Sequence, residues 1–129
     1  MKRVIPLTLP FALAGCLAGG DFASRNTNVD YGPAVSQQTC QQIAKRHVGP
    51  TLLKPDTAQY KFGRCMADTL SPKPLIGLPK QSGYAMSFAV NGQNAFGTYT
   101  GFKNYEVLIY NGAVVRRIRQ NQMGQWETF

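Results

Sequence analysis

The residue types that most often carry chemistry are sparse in this chain of 129 residues. The single histidine, His47, lies at the end of a predicted helix, where imidazole more often complements the helix dipole than acts as a base. The acidic residues are Asp21, Asp30, Asp56, Asp68, Glu106 and Glu127. They form no close pair in sequence, and no Gly-x-Ser-x-Gly motif or phosphate-binding glycine loop is present. We therefore predict no catalytic site, no cofactor and no bound metal, and a hydrolase is the least favoured function.

The N-terminus has the organisation of a cleavable export signal. Lys2 and Arg3 precede an apolar run over residues 4–13, which is too short to cross a bilayer as a helix. The following residues, Leu13-Ala14-Gly15-Cys16, resemble the lipobox of bacterial lipoprotein precursors. The resemblance is specific because the motif lies where the signal should end.

This resemblance implies a lipid anchor on Cys16. Diacylglycerol would be attached to its sulfur, the chain would be cut before it, and a third acyl chain would usually follow on the new amine. Two or more acyl chains anchor a protein stably. Leu17 is not the aspartate that retains many lipoproteins at the inner membrane, so the resemblance favours the periplasmic face of the outer membrane in a diderm bacterium.

Two other interpretations of the N-terminus stay open. An ordinary secretory cleavage after Ala14 would leave a soluble periplasmic protein with a free Cys16, and the segment could also be a buried helix of a cytosolic protein. The lipoprotein interpretation divides the chain into a signal peptide (1–15), a lipidated cysteine with a flexible tether (16–35) and a small periplasmic domain (36–129).

The other two cysteines, Cys40 and Cys65, make an even pair once Cys16 is lipidated. An oxidising compartment favours a disulfide between them. The alternative is a metal site, but these two thiols and His47 are too few ligands for a closed structural zinc site, and no Cys-x-x-Cys spacing exists. We therefore predict a Cys40–Cys65 disulfide.

The chain is basic, with a formal net charge of +8. A dense group at Arg116, Arg117 and Arg119 predicts contacts with anionic partners such as lipid headgroups, lipopolysaccharide phosphates or acidic proteins. Nucleic acid is disfavoured as a partner of an exported chain. An equally weighted alternative is that these arginines are ordinary solvated side chains.

Periodicity predicts an α+β fold, with one N-terminal helix packed on an antiparallel sheet of about four strands. Ser36 is the predicted N-cap, Cys40 and Ile43 lie on the buried face, and Gly49-Pro50 ends the helix. Residues 70–82 contain three prolines and predict a long surface connection. The predicted strands are residues 59–62, 84–90, 95–99, 105–110 and 113–118.

Two turns organise the predicted sheet. Asn111-Gly112 is a strong hairpin signal, and a two-residue loop there would pair Tyr110 with Ala113 and hence Glu106 with Arg117. A second turn is predicted over residues 91–94, with Gly101 breaking the strand that follows it. The tail after residue 119 is either docked or frayed.

The stretch from Asn91 to Phe102 is dense in amides, glycines and aromatic rings. One interpretation is a ligand surface for a carbohydrate or peptide. The favoured alternative is a tight hairpin whose aromatics fill a small core. With Lys103 and Tyr105, the stretch resembles one in small uncharacterised exported proteins of proteobacteria, which implies export and a compact α+β domain. The candidate ligand-surface residues are Asn91, Asn94, Phe96, Tyr99 and Phe102.

These observations predict a membrane-anchored, non-enzymatic lipoprotein that binds or braces an envelope protein or a cell-wall polymer. The alternative is an inhibitor or immunity-type lipoprotein that blocks an envelope-targeting enzyme through the loop around residues 91–102.

Overall fold

A computed structural model describes residues 28–129, which form one helix and a six-stranded antiparallel sheet. The predicted α+β class is confirmed, and the six strands exceed the prediction of about four. The sheet order is β1-β3-β4-β5-β6, and β2 also pairs with β3. The elements are α1 (Gln37–Val48), β1 (Gln59–Phe62), β2 (Met66–Leu70), β3 (Gln81–Gln93), β4 (Tyr99–Tyr110), β5 (Ala113–Gln120) and β6 (Trp126–Thr128).

Helix α1 begins and ends where its sequence predicts. The Ser36 hydroxyl accepts a hydrogen bond from the Thr39 amide at 3.1 Å, which satisfies a free N–H of the first turn. Gly49 follows the last helical residue, and basic side chains occupy the final turn. The buried face of the helix covers one side of the sheet. The resulting core contains Cys40, Ile43, Ala44, Val48, Met86, Phe88, Val90, Tyr105, Val107 and Ile109.

Strand β3 holds the sheet together because it has three partners. Its C-terminal half pairs with β1 and its N-terminal half pairs with β2 on the same side, while β4 pairs along its other side. Gly63, between β1 and β2, donates its N–H to the Ser87 carbonyl at 2.8 Å. A Cβ at Gly63 would lie 2.6 Å from that carbonyl oxygen, so the close crossing requires glycine.

The predicted strand over 95–99 and the break at Gly101 are wrong. Strand β4 runs without interruption from Tyr99 to Tyr110, and the preceding turn lies at Asn94–Gly97. Gly101 adopts a φ of +103° and donates its N–H to the Asn91 side-chain oxygen at 2.9 Å, where the β3–β4 register shifts. The glycine therefore forms a bulge within the strand and does not end it.

The hairpin at Asn111-Gly112 is confirmed, since Tyr110 pairs with Ala113. Asn111 and Gly112 both have positive φ, as the two-residue turn requires.

The predicted pairing of Glu106 with Arg117 is wrong. A register shift between Leu108 and Ile109 places Glu106 opposite Ile118. The shift moves all later residues of β5 by one position, so side chains expected on one face of the sheet lie on the other.

The 71–80 loop lies on the face of the sheet opposite α1. It is more ordered than the predicted connection, because Lys73 and Leu78 form a β-bridge around a short 3-10 helix, Pro74–Ile76. The C-terminal tail is docked, since β6 pairs with β5 and the Phe129 ring meets the Tyr105 ring edge-on at 5.2 Å.

The last part of the predicted tether lies against the domain. The Tyr110 hydroxyl donates to the Asp30 carboxylate, whose other oxygen accepts the Gly32 N–H at 2.9 Å. Val35 packs against the core. The tether prediction is therefore wrong for residues 30–35, while Cys16 and residues 17–27 lie outside the described part of the chain.

Candidate functional site

Cys40 and Cys65 are bonded, with their Cα atoms 6.2 Å apart. Cys40 is fully buried on α1, and Cys65 lies between β1 and β2. Gln37 reinforces the same junction, because its side-chain oxygen accepts the Cys65 N–H at 2.7 Å and its amide donates to the Gly63 carbonyl at 2.9 Å. The predicted pair thus ties the helix to the sheet. The lipidation candidate Cys16 lies outside the described residues.

His47 lies beside Arg117 at the end of α1. Its Nδ1 lies 3.1 Å from Arg117 Nη1, and burial together with the charges of Arg117 and Arg46 lowers the pKa of the imidazole. Within residues 28–129, no group of three or more His, Cys, Asp or Glu side chains could hold a metal ion. The same part of the chain has no helix long and apolar enough to cross a membrane.

The three candidate arginines do not form one surface. Arg116 is 2% exposed and lies on the face opposite α1, where it donates to Gln81 Oε1 (3.0 Å), the Ser71 carbonyl (2.9 Å) and the Pro79 carbonyl (2.6 Å). It fixes both ends of the 71–80 loop, so its proposed contact with an anionic partner is wrong. The cause is the β5 bulge together with strand alternation, which separates neighbouring side chains.

Arg117 and Arg119 lie on the helix side of the sheet. Their guanidinium carbons are 5.1 Å and 5.8 Å from the centre of the Phe129 ring. Arg119 also pairs with Glu127 at 2.9 Å. This ion pair borders a cleft of about 310 Å³ beside Leu52 and Lys103. The charges of Arg119 and Glu127 balance each other at the edge of the cleft.

The predicted aromatic residues are exposed, so their interpretation as core side chains is wrong. Phe96 is 92% exposed in the turn between β3 and β4, and Tyr99 and Phe102 are 40% and 41% exposed. The Tyr99 hydroxyl donates to the Thr57 carbonyl at 2.8 Å, and Lys61 Nζ lies 4.2 Å from the centre of the Phe102 ring. Among the described residues no ring contact joins the three aromatics, so they do not form one platform.

Asn94 shapes the turn that carries Phe96. Its side-chain oxygen accepts the Phe96 N–H at 2.9 Å and the Thr98 N–H at 3.0 Å, and its own N–H donates to the Thr98 carbonyl at 2.9 Å. These bonds fix the backbone of the hairpin tip, defined here as residues 94–97. The candidate Asn91 has a structural role instead, because it is 9% exposed and holds the Gly101 bulge.

The hairpin tip and the start of the described chain lie at opposite ends of β4. Asp30 is bonded to Tyr110, the last residue of β4, whereas the tip precedes Tyr99, its first residue. A strand of 12 residues is roughly 37 Å long at about 3.3 Å per residue. Any segment that precedes Asp30 therefore joins the domain at the end farthest from Phe96.

A second set of side chains, which the sequence analysis did not identify, crosses the face of the sheet opposite α1. Lys61 on β1 is opposite Ala89 on β3, and Ala89 is in turn opposite Asn104 on β4. Gln120 on β5 is opposite Trp126 on β6. Asn104 Nδ2 donates to Gln120 Oε1 at 2.9 Å, which closes the row. We call these five residues the cross-sheet row. They are distant in sequence, so only the register brings them together.

The cross-sheet row lines an open groove of about 450 Å³ that also contacts Ser87. Trp126 closes one end and separates it from a hollow lined by Pro72–Ile76 of the 71–80 loop. Near this loop, burial raises the pKa of Glu106, while the positive charges of Lys73 and Arg116 act in the opposite direction. The negative charge of Asp68 also raises the pKa of Glu106.

No family model matches the chain, and comparison with curated proteins and with solved structures finds no match. Its function is therefore inferred from its own residues.

Proposed function

We propose that this protein is a lipoprotein anchored to the periplasmic face of the outer membrane, whose domain binds or braces an envelope partner without catalysing a reaction. The observation that carries the proposal is the position of the exposed hairpin tip at the end of β4 farthest from Asp30. An anchor that precedes Asp30 would hold the other end of the domain toward the membrane and present Phe96 to the periplasm.

The use of the cysteines supports the anchor. The lipobox-like motif assigns Cys16 to lipid, and the Cys40–Cys65 bond uses the other two thiols. A disulfide suits an oxidising envelope compartment. Fully extended, residues 17–29 reach at most roughly 45 Å, which keeps the domain close to its membrane.

The hairpin tip has the features of a protein contact. A large apolar side chain that is 92% exposed has no role in the core, and aromatic residues supply much of the energy of interfaces. The Asn94 hydrogen bonds hold the backbone before binding, which reduces the entropy that association must overcome.

The anchor is tested by intact mass and membrane fractionation of the wild type beside Cys16→Ala in a diderm host. We expect the wild type to begin at Cys16, carry acyl mass and sediment with the outer membrane, and the variant to do none of these. A soluble wild type that begins at Gly15, or one that keeps Met1, would contradict the proposal.

The contact is tested by a photo-crosslinking amino acid at position 96 in the lipidated protein. We expect one envelope partner to be crosslinked there, and we expect Phe96→Ala to lose co-purification of that partner. The matched control is position 75, since Leu75 is 100% exposed in the 71–80 loop. Equal crosslinking of the partner from both positions would contradict the proposal that the hairpin tip is the contact site.

The fixed tip also favours a second candidate, an inhibitor or immunity-type lipoprotein. A rigid loop with one projecting aromatic ring can enter the active site of an envelope-targeting enzyme. In that case Phe96→Ala would abolish protection of the cell while the domain stays folded. Protection by the variant equal to that of the wild type would contradict this function.

A further inference from the structure

Two aromatic rings beside the cross-sheet row each have a lysine close by. Lys61 Nζ lies 4.2 Å from the centre of the Phe102 ring, which is on β4 two residues before Asn104, and Lys73 Nζ lies 5.5 Å from the centre of the Trp126 ring. The row thus has two places where an exposed or half-buried aromatic ring is combined with an ammonium group. Exposed cation–π contacts are weak, so an anionic group can draw the lysine away from the ring.

The middle of the row is a flat polar floor. Ala89 is the smallest side chain of the row and leaves space between Lys61 and Asn104 on the neighbouring strands. Among residues 28–129, neither the Asn104 side-chain oxygen nor the Ser87 hydroxyl has a hydrogen-bond partner. These groups can accept or donate hydrogen bonds to a ligand lying in the groove.

The charge of the groove selects among polar ligands. The described residues that line it, and those that line the hollow beside Trp126, include Lys61 and Lys73, while the half-buried Glu106, opposite Ser87 in the strand register, is the neighbouring carboxyl group and interacts with Lys73. Four spacings between neighbouring strands give the row a length of roughly 19 Å. A long, shallow, amide-lined groove with one aromatic ring at its end and a second beside it suits an extended ligand that offers ring faces, hydroxyl and amide groups, and negative charge.

We propose that the cross-sheet row binds an acidic oligosaccharide whose sugars carry N-acetyl groups and carboxylates, the chemistry of a bacterial cell-wall glycan. Sugar rings stack on Trp126 and Phe102, Asn104 and Gln120 bond to acetamido and hydroxyl groups, and Lys61 and Lys73 pair with carboxylates. The choice of a cell-wall glycan rests on the envelope location proposed above, whereas the site itself lies on the sheet face and is independent of the contact proposed for Phe96.

The test is a titration of oxidised residues 16–129, carrying Cys16→Ala, with a peptidoglycan tetrasaccharide of alternating N-acetylglucosamine and N-acetylmuramic acid. Trp126 is the only tryptophan in the chain, so its fluorescence reports on this groove and on the adjoining hollow. We expect a saturable change. The neutral N-acetylglucosamine tetramer should bind about tenfold more weakly because it lacks carboxylates.

Variants locate the ligand, with calorimetry as the common measurement. Lys61→Ala and Asn104→Ala remove exposed groups and should each weaken binding by about fivefold to tenfold. Ala89→Leu fills the floor and should abolish binding, and Phe96→Ala, the control at the tip, should leave it unchanged. The two exposed substitutions keep the test valid if Ala89→Leu does not fold.

Three results would overturn the assignment. The first is the absence of a saturable change with the tetrasaccharide, and the second is an affinity unaltered in both Lys61→Ala and Asn104→Ala. The third is competition by a polyglutamate peptide as strong as that by the tetrasaccharide, which would make the groove a site for acidic polypeptides.

Discussion

The Tyr110 hydroxyl donates a hydrogen bond to the Asp30 carboxylate and thereby joins the last residue of β4 to the segment that precedes the helix. Gly32 completes the junction, because its N–H bonds to the same carboxylate and its α-carbon lies beside the Tyr110 ring. This junction determines which end of the sheet faces any anchor that precedes it.

The Asp30 junction predicts a pH dependence. The bonds from Tyr110 and Gly32 lower the pKa of Asp30 below its ordinary value of 3.8. A carboxyl whose pKa is lower in the folded state stabilises that state above the unfolded pKa, and this contribution is lost as pH falls through the folded pKa. We expect Tyr110→Phe to lower the melting temperature at neutral pH, and we expect this effect to shrink as the pH falls below the ordinary pKa of 3.8 and Asp30 becomes protonated. Melting curves of both proteins across this range check the prediction, with Tyr84→Phe as the control. A constant difference at all pH values would contradict it.

The disulfide should contribute a large share of the stability. Cys40 and Cys65 are separated by 25 positions, and a closed loop of that length is worth about 3–4 kcal/mol in the loop-entropy model. We expect reduction, or the double change Cys40→Ala and Cys65→Ala, to lower the free energy of unfolding by this amount. Urea unfolding with and without reductant measures it, and the double variant should be insensitive to reductant. Coincident wild-type curves in the two conditions would show that the bond contributes nothing.

Arg116 should matter for stability and not for binding. Arg116→Ala leaves the carbonyls of Ser71 and Pro79 and the Gln81 side chain without their donor, at a cost of roughly 3 kcal/mol. The 71–80 loop should then open, and trypsin should cleave faster after Lys80. Arg64→Ala, at an exposed position, is the control and should change stability by less than about 0.5 kcal/mol. Urea unfolding and the rate of cleavage test this prediction. Equal cleavage of both variants would show that Arg116 does not hold the 71–80 loop in place.

Two glycines should respond in opposite ways to alanine. A Cβ at Gly83 would lie 2.5 Å from the Ile109 carbonyl oxygen, and backbone of a central strand cannot move away without loss of pairing. We expect Gly83→Ala to destabilise the protein by about 1–3 kcal/mol. Gly49 has no atom within 4 Å of such a Cβ and already has helical dihedrals, so Gly49→Ala should be neutral or stabilising by up to about 1 kcal/mol. Thermal melts of the two variants decide the matter, and similar effects at both positions would refute the steric argument.

Local signals in the sequence predicted the elements whose causes are local. The Ser36 cap and Gly49-Pro50 define α1 without help from distant residues, and Asn111-Gly112 specifies its own turn. Gly101 misled the prediction because the side chain of Asn91, on another strand, turns a strand-breaking residue into a bulge.

The remaining errors have the same origin. Strand β2, Met66–Leu70, has no alternating pattern and exists through its pairing with β3. The three-residue β6 likewise depends on β5. The cross-sheet row could not be predicted, because only the register of five strands places Lys61 and Trp126 on the same surface.

The three partners of β3 also set an order for folding. The pairing of β3 with β4 closes a short loop, whereas the pairings of β1 and β2 with β3 close longer loops. Helix α1 precedes both of these strands in the sequence. Since local pairing loses less chain entropy, and the β4–β5 turn has only two residues, we expect the β3–β4–β5 meander to form the folding nucleus. Oxidation of Cys40 with Cys65 would then be a late event that locks a nearly native chain, so substitutions in β3 should slow folding while loss of the disulfide should mainly speed unfolding.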